Sequence, residues 1–135
     1  MNKMTKLGNI LKKTMKLMSL LALIFSLYQF PALAGDFSKT CKNISLENET
    51  IVEAQCKRIS GNFVPAAVNL NNCIENRNGG LRFGGDKFIF TCKPPLLYDE
   101  TGLTASCRNY DGNYVPSLLN LDEGITNNDG LLECD

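Results

Sequence analysis

A duplication constrains this chain more than any other feature of its sequence. When the sequence is shifted by 51 positions, residues 36–84 align with residues 87–135 without a gap, and 19 of the 49 aligned positions are identical. A period near 50 residues indicates one supersecondary unit used twice. One such unit has too few large apolar residues to bury a core alone, so the two units are expected to share one. A site formed by one half should therefore recur in the other.

Residues 1–34 lie outside this repeat. They contain five lysines and no acidic residue, then the apolar run 17–30, and they end in Ala32-Leu33-Ala34. This order is typical of a secretory signal peptide cut after Ala34, because an apolar run of about 14 residues is short for a membrane span of about 20. We expect a secreted or periplasmic protein that keeps no membrane contact after cleavage. The remaining domain, 35–135, would contain repeat one (about 36–86) and repeat two (about 87–135).

Charge and composition exclude several classes of function. Cleavage removes five lysines and no acid, which leaves 9 basic and 14 acidic residues, a net charge of −5. Nucleic acid is not expected as a partner, because binding it requires an excess of clustered cations. The chain contains no histidine, which excludes Ser-His-Asp and Cys-His catalysis and histidine-ligated zinc. No metal or other cofactor is expected.

Six cysteines in an exported chain predict disulfide bonds. The repeat pairs four of them within its own halves, as Cys41–Cys56 and Cys92–Cys107. Each pair would close a hairpin loop and stabilise the fold by about 3 kcal/mol. Cys73 and Cys134 have no cysteine at the equivalent positions, and the simplest pairing is a third bridge between them. Two free thiols or an intermolecular bridge are alternatives, since six cysteines allow fifteen pairings.

Each repeat is expected to be a small β structure with short helical turns. The first strand would end at the first cysteine, and the second would continue just past the second cysteine (Phe37–Lys42 and Ile51–Ile59; Phe88–Lys93 and Leu103–Tyr110). A third strand would follow Gly61-Asn62 and Gly112-Asn113, and a helical-turn cap would start at Asn69 and Asn120. Asn78-Gly79 and Asp129-Gly130 are typical tips of a two-residue hairpin. No stretch after residue 35 is long and amphipathic enough for a real helix, so the fold class is all-β.

Several short motifs occur in the same order in both repeats. The first copy has Phe37-Ser38-Lys39-Thr40-Cys41, Cys56-Lys57, Asn69-Leu70-Asn71, Ile74-Glu75-Asn76 and Gly79-Gly80-Leu81. The second copy has Phe88, Thr91-Cys92, Cys107-Arg108, Asn120-Leu121-Asp122, Ile125-Thr126-Asn127 and Asp129-Gly130. This doubled set resembles the cyanovirin-N family of lectins over essentially all of residues 35–135.

The resemblance implies a fold, a ligand and two assembly states. The fold would be a pseudo-two-fold tandem repeat in which each half combines a three-stranded sheet with a hairpin and the halves exchange segments. The partners would be mannose-rich oligosaccharides or glycoproteins, bound without metal. The chain would act as a monomer or as a domain-swapped homodimer, with a hinge at residues 65–73 or 84–86.

The resemblance also implies where each sugar would bind. Each site would be a shallow cleft between the first strand and hairpin of one half and the turn supplied by the other. Site 1 would consist of Asp36, Lys39, Thr40, Lys57, Ile59, Asn127, Asn128 and Asp129. Site 2 would consist of Glu75, Asn76, Asn78, Lys87, Thr91, Arg108, Asn109 and Tyr110. Amides, carboxylates and fixed carbonyls suit sugar hydroxyls, which both donate and accept hydrogen bonds.

The acidic residues and four site positions that differ from the family pattern raise two alternative functions. A glycoside hydrolase needs two facing carboxylates, whereas the acids here fall at opposite pseudo-symmetric ends, so no enzyme activity is expected. Phe90 stands where the family usually has an acid, Tyr110 where it has a basic residue, Gly112 where it has a polar one, and Ile59 where it has a hydroxyl. The alternative to a lectin is a non-catalytic extracellular structural or adhesion module with lost or altered sugar binding. The polar residues retained in both clefts favour the lectin.

Overall fold

The computed structural model describes residues 35–135, which form ten β-strands and four single-turn 3₁₀ helices. Repeat one contains β1 (Cys41–Glu47), β2 (Ile51–Lys57), β3 (Phe63–Asn69), β4 (Ile74–Arg77) and β5 (Gly80–Phe83). Repeat two contains β6 (Cys92–Tyr98), β7 (Gly102–Arg108), β8 (Tyr114–Asn120), β9 (Ile125–Asn128) and β10 (Leu131–Cys134). The 3₁₀ turns are Phe37–Lys39, Leu70–Asn72, Phe88–Phe90 and Leu121–Glu123. The all-β prediction is confirmed, and the predicted signal peptide lies outside the described residues.

The two repeats exchange their hairpins. In each repeat three antiparallel strands form one sheet, β1–β2–β3 or β6–β7–β8, and the last two form a separate hairpin, β4–β5 or β9–β10. Strand β5 contacts β8 of the other repeat, and β10 contacts β3. Each sheet therefore receives the hairpin of the other half, as the resemblance implied, and the chain passes between the repeats at residues 84–87.

The start of each repeat differs from the prediction. The strand begins at the cysteine instead of ending there, because a 3₁₀ turn precedes it. Asp36 has a left-handed backbone (φ 58°), and the Thr40 N–H donates to the Phe37 carbonyl at 3.1 Å. Lys87 (φ 61°) starts the same turn in repeat two. The turn buries Phe37 and Phe88 completely, and one buried aromatic before a cysteine is equally compatible with a strand, which is why the pattern misled.

The second strand of each sheet is also shorter than predicted. It ends at Lys57 in repeat one and at Arg108 in repeat two, two residues before the predicted ends. The chain turns there because the Arg58 N–H donates to the Asn62 carbonyl at 2.8 Å. The Asn109 N–H makes the equivalent 2.8 Å bond to Asn113. These bonds close two tight loops, 58–62 and 109–113, beside the hairpin tips.

The predicted caps and hairpin tips are confirmed. The Asn69 side chain accepts a hydrogen bond from the Asn71 N–H at 3.0 Å and so caps the 3₁₀ turn that follows. The hairpin tip at Asn78-Gly79 has positive φ at both residues, 51° and 90°, as a two-residue hairpin turn requires. Both features recur 51 residues later. Asn120 caps the 3₁₀ turn of repeat two in the same way, and Asp129-Gly130 has positive φ at both residues of its hairpin tip.

One core joins both halves. Its fully buried members come in equivalent sets from the two repeats, namely Phe37, Val52, Leu70 and Ile74 with Phe88, Leu103, Leu121 and Ile125. The expectation of a shared core is therefore confirmed. Both sheets and both hairpins contribute to this core, so packing in the core fixes where each hairpin lies on the opposite sheet.

All three predicted disulfides are present, as Cys41–Cys56, Cys92–Cys107 and Cys73–Cys134. The first two each close within one repeat. Cys73 directly precedes β4 and Cys134 ends β10, so the third bridge joins the bases of the two hairpins. The 51-residue shift relates Cys73 to Gly124 and Cys134 to Phe83. The Phe83 ring lies against Gly124, 2.6 Å from the point where a Cβ of residue 124 would stand.

Candidate functional site

Each hairpin tip is held on the opposite sheet by one asparagine side chain. Where β4–β5 meets the sheet of repeat two, the Asn76 NH2 group donates to Thr91 Oγ1 at 2.9 Å and to the Arg108 carbonyl at 2.8 Å. Asn76 Oδ1 accepts from the Gly79 N–H at 2.8 Å. Both N–H donors of this amide are therefore used within the protein. Asn76 acts as a clamp between the hairpin and the sheet.

The other junction contains the same clamp. The Asn127 NH2 group donates to Thr40 Oγ1 and to the Lys57 carbonyl, both at 2.9 Å. Its Oδ1 accepts from the Gly130 N–H at 2.8 Å. Every partner is the residue 51 positions away from its counterpart. Asn76 and Asn127, two of the five asparagines predicted to bind sugar, thus lie at the junctions, but their side chains bind the protein itself.

The hairpin tips make a second bond to the loops that follow β2 and β7. Asn78 Oδ1 accepts from the Tyr110 N–H at 2.9 Å, and Asp129 Oδ1 accepts from the Ile59 N–H at 2.9 Å. Asp129 also lies 3.5 Å from the Arg58 guanidinium. The Ile59 N–H, followed by the bond and charge of Arg58, holds the pKa of Asp129 below its ordinary value of 3.8. The junction at Asp129 is therefore ionic, whereas the junction at Asn78 is neutral.

A cavity of about 410 Å³ lies at the junction between β4–β5 and the sheet of repeat two. It is lined by Asn76, Asn78, Thr91, Arg108, Asn109, Tyr110 and Gly112. Six of the eight residues predicted for site 2 are thus brought together. Sequence reasoning did not include Gly112 in the site, although it marked this position as a departure from the family pattern. The cavity wall contains no carboxylate among the residues that line it.

Two residues predicted for site 2 do not line this cavity. Glu75 pairs instead with Arg77 at 3.7 Å and Arg82 at 3.5 Å, on its own hairpin. Lys87 starts a 3₁₀ turn, and its Nζ lies 3.9 Å from Asp86. Both side chains therefore serve local ion pairs beside the site.

Site 1 brings together five of its eight predicted residues through hydrogen bonds, namely Thr40, Lys57, Ile59, Asn127 and Asp129. Lys39 pairs with Asp36 at 2.8 Å on the preceding turn, and that bond and charge raise the pKa of Lys39. Asn128 donates to Glu133 on the neighbouring strand at 3.3 Å. Arg58 was missed, although the 51-residue shift makes it the counterpart of Asn109, which was included in site 2.

Two further depressions lie on the sheets, at equivalent positions of the two repeats. One has about 380 Å³ and polar walls that include Asn43, Ser45 and Gln55. Its counterpart has about 410 Å³ and walls that include Leu96 and Leu118. The cavity at the hairpin tip is the better candidate for a polar ligand, because hydrogen bonds fix its amide and hydroxyl groups in place.

The described residues offer no obvious place for a metal ion. Within 35–135, no three Cys, Asp or Glu side chains stand close enough together to hold one. Over the same range, no helix is long and apolar enough to cross a membrane. The polar groups at the junctions are amides, hydroxyls, carbonyls and the Arg108 guanidinium at site 2, with the Asp129 carboxylate and the Arg58 guanidinium added at site 1.

Two all-β halves that exchange hairpins, with polar groups fixed where each tip meets a sheet, define a class of carbohydrate-binding protein. The CVNH domain family matches residues 37–133, and the chain belongs to this family. The proteins of this family are lectins, which bind carbohydrate without catalysing a reaction. Family membership confirms the resemblance and the expectation that the protein is not an enzyme.

Three relatives place the chain more closely. A cyanovirin-N homolog from Neurospora crassa is 28% identical over an alignment of 90 positions, which covers 62% of this chain and 81% of the relative. The solution structure of the Gibberella zeae CVNH protein has 30% identity and a TM-score of 0.69, and covers 74% of this chain and 97% of that one. A structure of microvirin in complex with mannobiose has 32% identity and a TM-score of 0.62, and covers 75% of this chain and 99% of that one.

Proposed function

We propose that this protein is a secreted lectin that binds mannose-rich oligosaccharides at two pseudo-symmetric sites without metal. The observation that carries the proposal is the 410 Å³ cavity of site 2, where a hairpin tip and a sheet present fixed polar groups. The mannobiose complex of microvirin, which is 32% identical to this chain, supports mannose as the sugar. The predicted signal peptide supports secretion.

The polar groups of site 2 are mainly hydrogen-bond donors. Asn78 uses its Oδ1 for the Tyr110 N–H, and Asn109 uses its Oδ1 for the Asn113 N–H at 2.9 Å. Within residues 35–135, the NH2 groups of these two asparagines donate to no protein acceptor. The Thr91 hydroxyl accepts from Asn76 and keeps its own hydrogen, and the Arg108 guanidinium adds further donors. Such a site suits the oxygens of neighbouring sugar hydroxyls.

The pseudo-symmetry adds a consequence for branched ligands. Site 1 repeats the clamp of site 2 on the other sheet. A glycan with two arms that reach both sites would bind its second arm intramolecularly, at a high effective concentration. A branched high-mannose glycan should therefore bind more tightly than a disaccharide that fills one site at a time.

The test is a titration of the exported, oxidised protein with α1-2-linked dimannose, followed by calorimetry and amide NMR. We expect micromolar to millimolar binding, with the amide shifts concentrated at residues 78–79 and 109–110 for site 2. Arg108→Ala should remove the shifts at site 2 and leave those at residues 58–59 and 129–130. Lys57→Ala, its counterpart 51 residues earlier, should do the reverse. Arg108 is suitable because the clamp uses its carbonyl and not its side chain.

A folded wild type that gives neither heat nor shifts with dimannose or with a branched high-mannose glycan would overturn the proposal. A glycan array would then separate a lectin for another sugar from a structural or adhesion module. Secretion has its own test, because the amino terminus of the exported protein should begin at Gly35. An exported product that retains residues 1–34 would contradict the predicted cleavage.

A further inference from the structure

Site 2 is lined by one aromatic residue, Tyr110, and an exposed Phe90 directly precedes Thr91 of its wall, whereas the equivalent positions at site 1 carry aliphatic or charged groups. Tyr110 is 81% exposed and Phe90 is 75% exposed. Their counterparts are Ile59, which is 91% exposed, and Lys39, an exposed lysine. All four side chains are exposed, so the core requires neither the aromatic nor the aliphatic and charged set. Ile59 is at least as exposed as Tyr110, so exposure does not distinguish the two sites; what sets Tyr110 apart is that an aromatic residue lines a polar cavity.

The backbone that carries Tyr110 is held in place before any ligand binds. Its N–H donates to Asn78 Oδ1 at 2.9 Å. The loop that contains it is closed by two bonds, from the Asn109 N–H to the Asn113 carbonyl at 2.8 Å and from the Asn113 N–H to Asn109 Oδ1 at 2.9 Å. The second of these bonds has no counterpart at Arg58, which carries no acceptor. Because this backbone is already ordered, a ligand that covers the ring does not have to order the loop as well.

The space beside the ring is open. Gly112 lines the same cavity, and a Cβ at that position would have no neighbour within 4 Å. The walls of the cavity combine amide and hydroxyl donors with one aromatic ring, and no acid lies among them. A pyranose has the same two chemistries, because its hydroxyls project around the ring edge while its C–H bonds form apolar patches. The electron-rich face of an aromatic ring attracts such C–H groups.

We propose that Tyr110 is the specificity-determining residue of site 2, and that its ring packs against the C–H patch of the bound pyranose. This inference rests on the lectin function proposed above and deepens it. The amide and hydroxyl donors orient the sugar oxygens, and the ring selects a pyranose that can turn an unobstructed C–H patch towards it. Site 1 offers Ile59 and the Arg58–Asp129 ion pair at the same place. The two sites therefore differ in the sugar face that they recognise.

The test compares three variants of the exported, oxidised protein, titrated with α1-2-linked dimannose and followed by amide NMR at each site. Tyr110→Ala should weaken site 2 about tenfold, the loss expected when on the order of 55 Å² of apolar contact is removed. Tyr110→Phe keeps the ring and should bind within about twofold of wild type. Ile59→Ala is the matched control at site 1 and should leave site 2 unchanged. Tyr110 and Ile59 are exposed, so all variants should keep the wild-type amide signals except near the substituted residue.

A second measurement reports the stacking itself. Sugar C–H protons that lie over an aromatic ring shift upfield, and this shift should be seen with wild type, Tyr110→Phe and Ile59→Ala but not with Tyr110→Ala. Wild-type binding at site 2 that survives Tyr110→Ala at full affinity, or that shows no upfield shift, would overturn this inference and leave the lectin function standing. Absence of binding by the folded wild type would overturn both.

Discussion

The two junctions of this protein use the same bonds to hold their hairpins and different residues to face the solvent. At one junction the tip residue is Asn78 and the loop presents Tyr110; at the other the tip residue is Asp129 and the loop presents Ile59. The clamps formed by Asn76 and Asn127 are the same bond for bond. Duplication therefore kept what positions the hairpin and changed what a ligand would meet.

The bases of the two hairpins differ between the repeats more than the tips do, because Cys73 and Cys134 correspond to Gly124 and Phe83. The largest effect of a substitution on stability is expected at these bases. Removing the bridge between the repeats with Cys73→Ser and Cys134→Ser should lower the free energy of unfolding by about 4 kcal/mol, because the bridge closes a loop of 61 residues. Removing Cys92–Cys107, which spans 15 residues, should cost about 3 kcal/mol. Denaturant unfolding of both variants measures this. A smaller loss for the long loop than for the short one would show that the contact between the hairpin bases is stable without the bridge.

The clamps provide the next largest effect. Asn76→Ala and Asn127→Ala should each lower the free energy of unfolding by about 2 kcal/mol, since each removes three hydrogen bonds, of which two are partly buried at Asn76 and one at Asn127. Asn128→Ala is the control, because its side chain bonds only to an exposed Glu133, and it should change stability little. Two clamp variants that differ by more than about 1 kcal/mol would show that the junctions are not energetically equivalent.

The smallest effect is a pH dependence confined to one tip. The pKa of Asp129 is lowered in the folded protein, so its contribution to stability is complete above pH 3.8 and is lost as the pH falls through the lowered pKa. The Ile59 amide shift should therefore titrate with a midpoint below 3.8, while the Tyr110 amide stays unchanged because Asn78 does not ionise. Asp129→Asn should make both amides insensitive to acid. A midpoint at or above 3.8 for Ile59 would contradict the assigned bond.

Much of the architecture could be predicted from the sequence because the repeat supplies each element twice. Asn-Gly and Asp-Gly tips and the spacing of the cysteines are local signals, and they identified the hairpin tips and the two bridges within the repeats. The arrangement of strands into sheets followed from the family resemblance, and the Cys73–Cys134 bridge was the simplest of several possible pairings. The first turn could not be found in this way, since nothing in the residue types of Asp36 or Lys87 announces a left-handed backbone.

The site was predicted less completely for a physical reason. A residue type shows that a side chain can form hydrogen bonds, but not whether the protein already uses them. The side chains of Asn76 and Asn127 have groups that could bind a sugar, but they use them for hydrogen bonds to the sheet of the opposite repeat. The Arg58–Asp129 pair joins residues 71 positions apart, a contact that exists only after the hairpins have exchanged.

The bridge between Cys73 and Cys134 is the one disulfide that crosses from repeat one to repeat two. If two chains traded their second repeats, Cys73 of one chain would face Cys134 of the other, while the remaining bridges would stay within each repeat. Oxidation would then fix covalently whether the protein is a monomer or a dimer. Afterwards neither form could turn into the other without a reductant, so the folded protein would preserve a record of the concentration at which it was oxidised.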